Sequence, residues 1–332
     1  MRKLLLSASA LAVLGAPIAA EAQDTYTFAL VPKAMNNPFF DLARDGCMAA
    51  QAELDNVECL YIGPGEHTEA EQVQIVQDLI TRQVDGIAVS PSNAPAIARV
   101  LERAQEAGIP TQTWDSDLLP EHQDLRTNYI GTLNYQIGEE LGNLINEYKP
   151  DGGTICIQSG GAAAANHNER IQGIRDTLSG TESDSPPGEQ LDDTNGWTEI
   201  DGCVLYTDDD SAVAVQQLTD ILAQHDDLDV FVSTGAFTQW SDNAYRQAIE
   251  PHLDRLENMD TVVVVADTLP MQMEQLADGY SHGQVGQRPF EMGYRSMENL
   301  LTIVEGGEVE DPIYTGVDVC TAENVDTCLE AE

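Results

Sequence analysis

The sequence predicts an α/β protein of two similar lobes, each a parallel sheet flanked by helices. Three observations predict it. Short apolar runs of strand length alternate with longer segments of helical period. The links between them are short and carry Gly, Pro, Asn or Asp, the residues that stop helices and start turns. The alternation restarts near Tyr135, so one set of β-α units follows another, with a cleft between the sets.

The first set opens with a strand over 26–31 and a helix over 38–54, whose Phe40, Ala43, Cys47, Ala50 and Leu54 share one face. A strand over 59–62 and a helix over 69–82 follow, with Val73, Val76, Leu79 and Ile80 inward. Next come a strand over 86–90, a helix over 94–107 and a strand over 111–114, with Gly108-Ile109-Pro110 ending that helix. The second set reads as a helix over 135–148, a strand over 154–158 and a helix over 168–178. The polar stretch 179–201, with Pro186-Pro187, reads as an inserted surface loop. Strands over 204–206, 230–233, 261–266 and 281–285 and helices over 211–224 and 290–305 complete it.

The chain of 332 residues begins with a leader: Arg2 and Lys3, an apolar run to Ala20, and the small-x-small Ala20-Glu21-Ala22. Residues 1–22 are expected to be removed before Gln23, giving an exported, periplasmic protein without a lipid anchor. What remains suffices for two domains of ordinary size. With 15 basic and 57 acidic residues the net charge is −42, spread along the chain. Such a surface repels nucleic acid and anionic lipid and suits a salty medium, where ions screen self-repulsion. A salt-adapted, halophilic-type source is the expectation.

Six cysteines in an exported chain suggest three disulfides. Nearest-neighbour pairing is the most economical: Cys47–Cys59, Cys156–Cys203 and Cys320–Cys328. Buried free thiols are the alternative. No C-x-x-C pair or Cys/His cluster points to metal, and no cofactor is expected.

The richest local signal is Asn36-Asn37-Pro38-Phe39-Phe40, directly after the first strand. Amides beside aromatic rings suit a sugar, whose hydroxyls need donors and acceptors and whose C–H face needs a flat apolar partner. Ligands of open α/β sheets bind at the carboxyl ends of strands, where this loop lies. Asp115 and Asp117 follow the fourth strand and, as i and i+2, point the same way. They read as binding residues rather than as the carboxylate pair of a secreted glycosidase. No G-x-G-x-x-G, P-loop, H-E-x-x-H or nucleophile elbow is present.

Several motifs together resemble the sugar-binding group of periplasmic binding proteins, of the ribose-binding type. They are Asn-Asn-Pro-Phe-Phe, Asp85-Gly86-Ile87-Ala88-Val89-Ser90-Pro91, Gly108-Ile109-Pro110 leading to Trp114-Asp115, Asn168-Glu169-Arg170-Ile171-Gln172-Gly173, Val263-Val264-Val265-Ala266-Asp267 and Gly286-Gln287-Arg288-Pro289. The resemblance implies two lobes joined by a three-segment hinge near Gly131, Gln287 and Gly316. One lobe takes 24–130 plus 288–316, the other 131–287 plus 317–332. It implies ligand contacts at Asn37, Phe39, Phe40, Asp115, Asn168, Asp267 and Gln287, with Trp114 as a further stacking ring and Arg170 in a supporting role. Departures from the family pattern are Lys33 in place of a small hydroxyl residue, Ser116 in place of arginine, Ala266 in place of an aromatic, and Thr234 in place of asparagine. Phe237 or Trp240 then supplies the missing ring.

These departures move the expectation from ribose to a monosaccharide or polyol of similar size, captured by a monomer and delivered to the membrane permease of an ABC transporter. The alternative is a sugar or autoinducer sensor feeding a chemoreceptor or kinase. A repressor with the same core is excluded by the leader, which stands where a DNA-binding helix-turn-helix belongs.

Overall fold

The opening apolar run forms β1 (Tyr26–Val31), whose last four residues are buried. The computed structural model describes residues 25–329; the expected leader and its cut before Gln23 lie outside the described residues. Asn37 caps α1 (Pro38–Glu53) by accepting the Phe39 N–H, with Pro38 in the first turn where no N–H is needed. Then follow β2 (Val57–Tyr61), α2 (Glu69–Thr81), β3 (Gly86–Val89), α3 (Ala94–Glu106) and β4 (Thr111–Trp114). Gly108, at φ +73°, closes α3 in the left-handed conformation. A 3-10 turn at Pro120–Leu125 leads to β5 (Tyr129–Gly131), too short for its pattern to register in sequence.

The second half runs α4 (Asn134–Tyr148), β6 (Gly153–Ser159), α5 (Ala165–Ser179), β7 (Trp197–Glu199), β8 (Leu205–Tyr206), α6 (Ser211–Gln224), β9 (Val230–Ser233), α7 (Asp242–Ile249), α8 (Leu253–Glu257), β10 (Val262–Ala266), α9 (Pro270–Ala277) and β11 (Gly283–Gly286). The chain then returns through α10 (Pro289–Val304) and β12 (Ile313–Tyr314) to finish at β13 (Asp318–Thr321).

Two sheets hold these strands among the described residues. The first has the order β12-β5-β4-β3-β1-β2, with every pairing parallel. The second runs β13-β11-β10-β9-β6-β7, with β8 also on β6 and only β13 antiparallel. Each sheet is covered on both faces by apolar clusters, as parallel sheets require. The chain passes between the sheets three times: from β5 to α4, from β11 to α10, and from β12 to β13 through Gly316.

Paired helices dock closely in both halves. A Cβ on Gly293 of α10 would overlap the Ala43 carbonyl of α1, and one on Gly46 would overlap the Phe290 carbonyl. Likewise a Cβ on Gly138 of α4 would overlap the Arg170 carbonyl of α5, and one on Gly173 the Tyr135 carbonyl.

The three disulfides are Cys47–Cys59, Cys156–Cys203 and Cys320–Cys328, the nearest-neighbour set. The first ties α1 to β2 and the second ties β6 to the segment before β8. The polar stretch 179–201 is not all surface loop. Trp197, 1% exposed, enters the core on β7, and Arg175 of α5 grips Glu199 with Nε to Oε1 at 2.7 Å and Nη2 to Oε2 at 2.8 Å. A single large apolar residue in a polar run carried too little periodicity to predict this strand.

Candidate functional site

Parallel strands all point their carboxyl ends one way, so the loops that follow them converge. In the first half these are the β1–α1 loop with Lys33 and Asn37, Ser90 after β3, and Asp115 after β4. In the second they are the amino end of α5, Asp209 before α6, Gly235 to Trp240 after β9, Asp267 after β10 and Gln287 after β11. Lys33, Asn37, Phe39, Phe40, Asp115, Asn166, His167, Arg170, Asp209, Gly235, Phe237, Trp240, Asp267 and Gln287 line one cavity between the sheets. A larger depression beside Val84, Pro110 and Ile303 lies at the opposite strand ends of the first sheet and is lined by that half alone.

Asp115 is the hub of the first half. It follows β4 with φ +59°, and its carbonyl accepts from Tyr129 Oη at 2.9 Å and Asn134 Nδ2 at 3.2 Å. Those two bonds hold a conformation that non-glycine residues seldom adopt. Its Oδ2 accepts from Ser90 Oγ at 2.7 Å and pairs with Lys33 Nζ at 3.2 Å. Its Oδ1 accepts from Asn166 Nδ2 at 3.4 Å, with Arg170 Nη2 3.8 Å away. Lys33, 1% exposed, also donates to Asn166 Oδ1 at 2.9 Å, so its ammonium bridges the two halves.

In the second half Arg170 donates from Nε and Nη2 to Asn134 Oδ1 at 2.9 and 2.7 Å, and from Nη1 to the Thr234 carbonyl at 2.8 Å. Asp267 repeats the post-strand geometry with φ +75°. It accepts from Gln287 Nε2 at 2.8 Å and from the Ala236 N–H at 3.2 Å. Burial pushes its carboxyl above the usual aspartate range, against the pull of Arg170 and these hydrogen bonds. Burial, then the charge of Lys33, holds His167 well below the usual histidine range, so its imidazole is neutral. Burial would raise Asp209, but its neighbours His67, 3.5 Å from Oδ2, and Lys33 outweigh it and hold the carboxyl well below the usual aspartate range.

Aromatic rings frame the cavity from both sides. Phe39 meets Phe40 edge-on at 5.4 Å, and Phe40 meets Trp114 in the same way at 5.4 Å. Phe237 packs edge-on to His167 and Trp240, at 5.4 Å in each case. Carboxylates, amides and rings in one closed crevice can clasp a hydroxylated ring molecule from two sides. The groups bond to one another across the gap, and the free space is correspondingly narrow.

A sequence model of the family described as "Periplasmic binding protein domain" matches residues 28–308. The chain belongs to the periplasmic binding protein family. Its two sheets with flanking helices are the two-lobed type I form of that fold. The ribose import binding protein of Escherichia coli (strain K12) is 24% identical over 311 residues, covering 93% of this chain and 95% of its own. Among solved structures, an ABC transporter solute binding protein from Burkholderia graminis C4D1M in complex with D-arabinose is 30% identical, with a TM-score of 0.76 over 91% of this chain and 97% of that one. Another, from Agrobacterium vitis with bound D-fucose, is 25% identical, with a TM-score of 0.80 over 90% and 97%.

Within this binding protein the expected site residues divide. Lys33, Asn37, Phe39, Phe40, Asp115, Asp267 and Gln287 come together on the cavity. Trp114 does not reach it: fully buried, it backs Phe40. Thr234 stands behind the lining, its Oγ1 3.0 Å from His167 Nδ1. Asp117 is turned away. Its Oδ1 accepts from Thr113 Oγ1 at 2.5 Å and Arg126 Nε at 2.6 Å, because the chain bends at Asp115 and the i, i+2 rule of a strand no longer holds. Asn168 is also off the cavity, donating to the Ala162 carbonyl at 3.0 Å. α5 begins at Ala165 rather than 168, and this phase turns Asn166, His167 and Arg170 inward instead. The helix start was hidden because its cap, Ala164, offers no side-chain hydrogen bond. Asp209 and His67 gave no sequence signal of their own.

Proposed function

We propose that the protein is an exported solute-binding protein that captures a monosaccharide or polyol between its lobes and delivers it to the permease of an ABC transporter. The observation that carries this is a cavity that both halves line at their strand ends, with buried Asp115 and Asp267 in matching post-strand positions and Phe and Trp rings on either side. Carboxylates accept the hydrogens of ring hydroxyls, amides both donate and accept, and the aromatic faces cover C–H surfaces. The relatives solved with D-arabinose and D-fucose support a sugar of this size. No step here makes or breaks a covalent bond.

The lobes, 24–130 plus 288–316 and 131–287 plus the remaining tail, move about the three crossings near Gly131, Gln287 and Gly316. Only a ligand that touches both lobes favours the closed form. The cross-cleft contacts Lys33–Asn166 and Asp115–Asn166 are the ones that a bound sugar replaces or reinforces. A panel of pentoses, hexoses and polyols, screened by thermal shift and by tryptophan emission, is expected to yield at least one member that raises the melting temperature by several degrees at about 100 times its Kd. No shift across the panel overturns the reading.

A further inference from the structure

Before α6 lies the run Asp208-Asp209-Asp210. Asp210 caps the helix, accepting the Val213 N–H at 2.9 Å. Asp209 turns inward and is only 5% exposed. Its Oδ2 stands 3.5 Å from His67 Nδ1, and its Oδ1 stands 3.8 Å from His167 Nε2. Oδ1 has no hydrogen-bond partner among the described residues, although the side chain lines the cavity. The close approach needs glycine at position 160, since a Cβ there would overlap Asp209 Oδ1.

His67 arrives from the other half, on the link between β2 and α2, with its side chain 4% exposed. It packs against Gly161, where an added Cβ would lie 2.8 Å from its Cε1. The His67–Asp209 pair therefore spans the crevice. A buried carboxylate oxygen lacking a donor is costly, and a ligand hydroxyl in the cavity removes that cost.

We propose that Asp209 is a further ligand-binding carboxylate of this site, and that His67, reaching across the crevice, is the positioning residue that aims it. The proposal rests on the sugar reading above. A ligand hydroxyl donates to Oδ1 while His67 holds Oδ2. His67 reaches Asp209 only when the halves are together, so the pair links ligand contact to closure. Asp209, Asp208, Asp210 and Glu66 surround His67 in a rim pocket, and His167 and Lys33 face Asp209 from within.

Calorimetry on the full chain with D-arabinose, D-fucose, D-ribose and myo-inositol tests this. For whichever probe binds tightest, Asp209→Asn is expected to raise Kd about 10- to 100-fold. His67→Gln is expected to raise it about 3- to 10-fold in the wild-type background and by less than about twofold in the Asp209→Asn background, with an unchanged circular dichroism spectrum. If Asp209→Asn does not fold, His67→Gln tests the same pair with Asp209 in place. Wild-type binding with Asp209→Asn within about twofold, or His67→Gln within about twofold of wild type, overturns the proposal alone. Failure of the wild-type protein to bind any of the probes overturns the sugar reading and the proposal with it.

Discussion

Asp115 and Asp267 occupy equivalent places in the two halves, each directly after a central parallel strand and each at positive φ. Their surroundings differ. Asp115 meets an ammonium at 3.2 Å, a guanidinium at 3.8 Å and a hydroxyl at 2.7 Å. Asp267 meets one side-chain amide at 2.8 Å and one backbone N–H at 3.2 Å. One carboxylate is compensated before any ligand arrives, while the other still carries the cost of burial. The same backbone device thus builds a structural anchor in one half and a vacant acceptor in the other, and a ligand gains more by approaching the second.

Substitutions can break this contrast. The largest effect is expected from Asp115→Asn, which leaves Lys33 and Arg170 buried beside each other without their counter-charge. Guanidinium denaturation of the ligand-free protein should show a loss of about 3–5 kcal/mol. Asp267→Asn is expected to act the other way, raising the melting temperature of the ligand-free protein by about 1–4 °C at pH 7 while weakening sugar binding. The sign follows from linkage. Asp267 has its folded value raised by burial, so its penalty is absent below the ordinary aspartate range and grows as pH rises through the folded value. The gain should therefore vanish near pH 3. Equal losses from the two substitutions would erase the distinction between the halves.

The smallest effect concerns Glu169, next to Arg170. Loss of hydration, then Asp117, pushes its carboxyl up to about 7, against Arg170. Stability contributed by this raised acid is complete below its ordinary value and falls as pH rises through about 7. Glu169→Gln should remove that decline, so melting curves of wild type and variant are expected to separate progressively between pH 5 and pH 8. Curves that stay parallel would argue that Glu169 is hydrated.

What could be read from the sequence was local. Asn37-Pro38 marks a helix start by capping chemistry, and the first β-α unit follows from it. The cysteines pair with their nearest neighbours because consecutive elements of a parallel sheet lie side by side. The misplaced site residues fail for reasons of phase. Three residues of error at the start of α5 exchanged Asn168 for Asn166 and His167, and one left-handed residue at Asp115 swung Asp117 out of the cavity. Asp209 and His67 are 142 positions apart in the chain and meet only through the tertiary fold. An acidic run before a helix otherwise reads as a cap and a solvated surface.

The glycine contacts between α1 and α10, and between α4 and α5, leave main chain against main chain with no intervening side chains to slide or repack. Each half therefore has little internal give. On the proposed reading, a guest pulling on the crevice would meet little local yielding, and its force would be relayed as rotation of whole blocks about the three crossings. The outer faces would turn with them, so a surface far from the guest would carry the news that it has arrived.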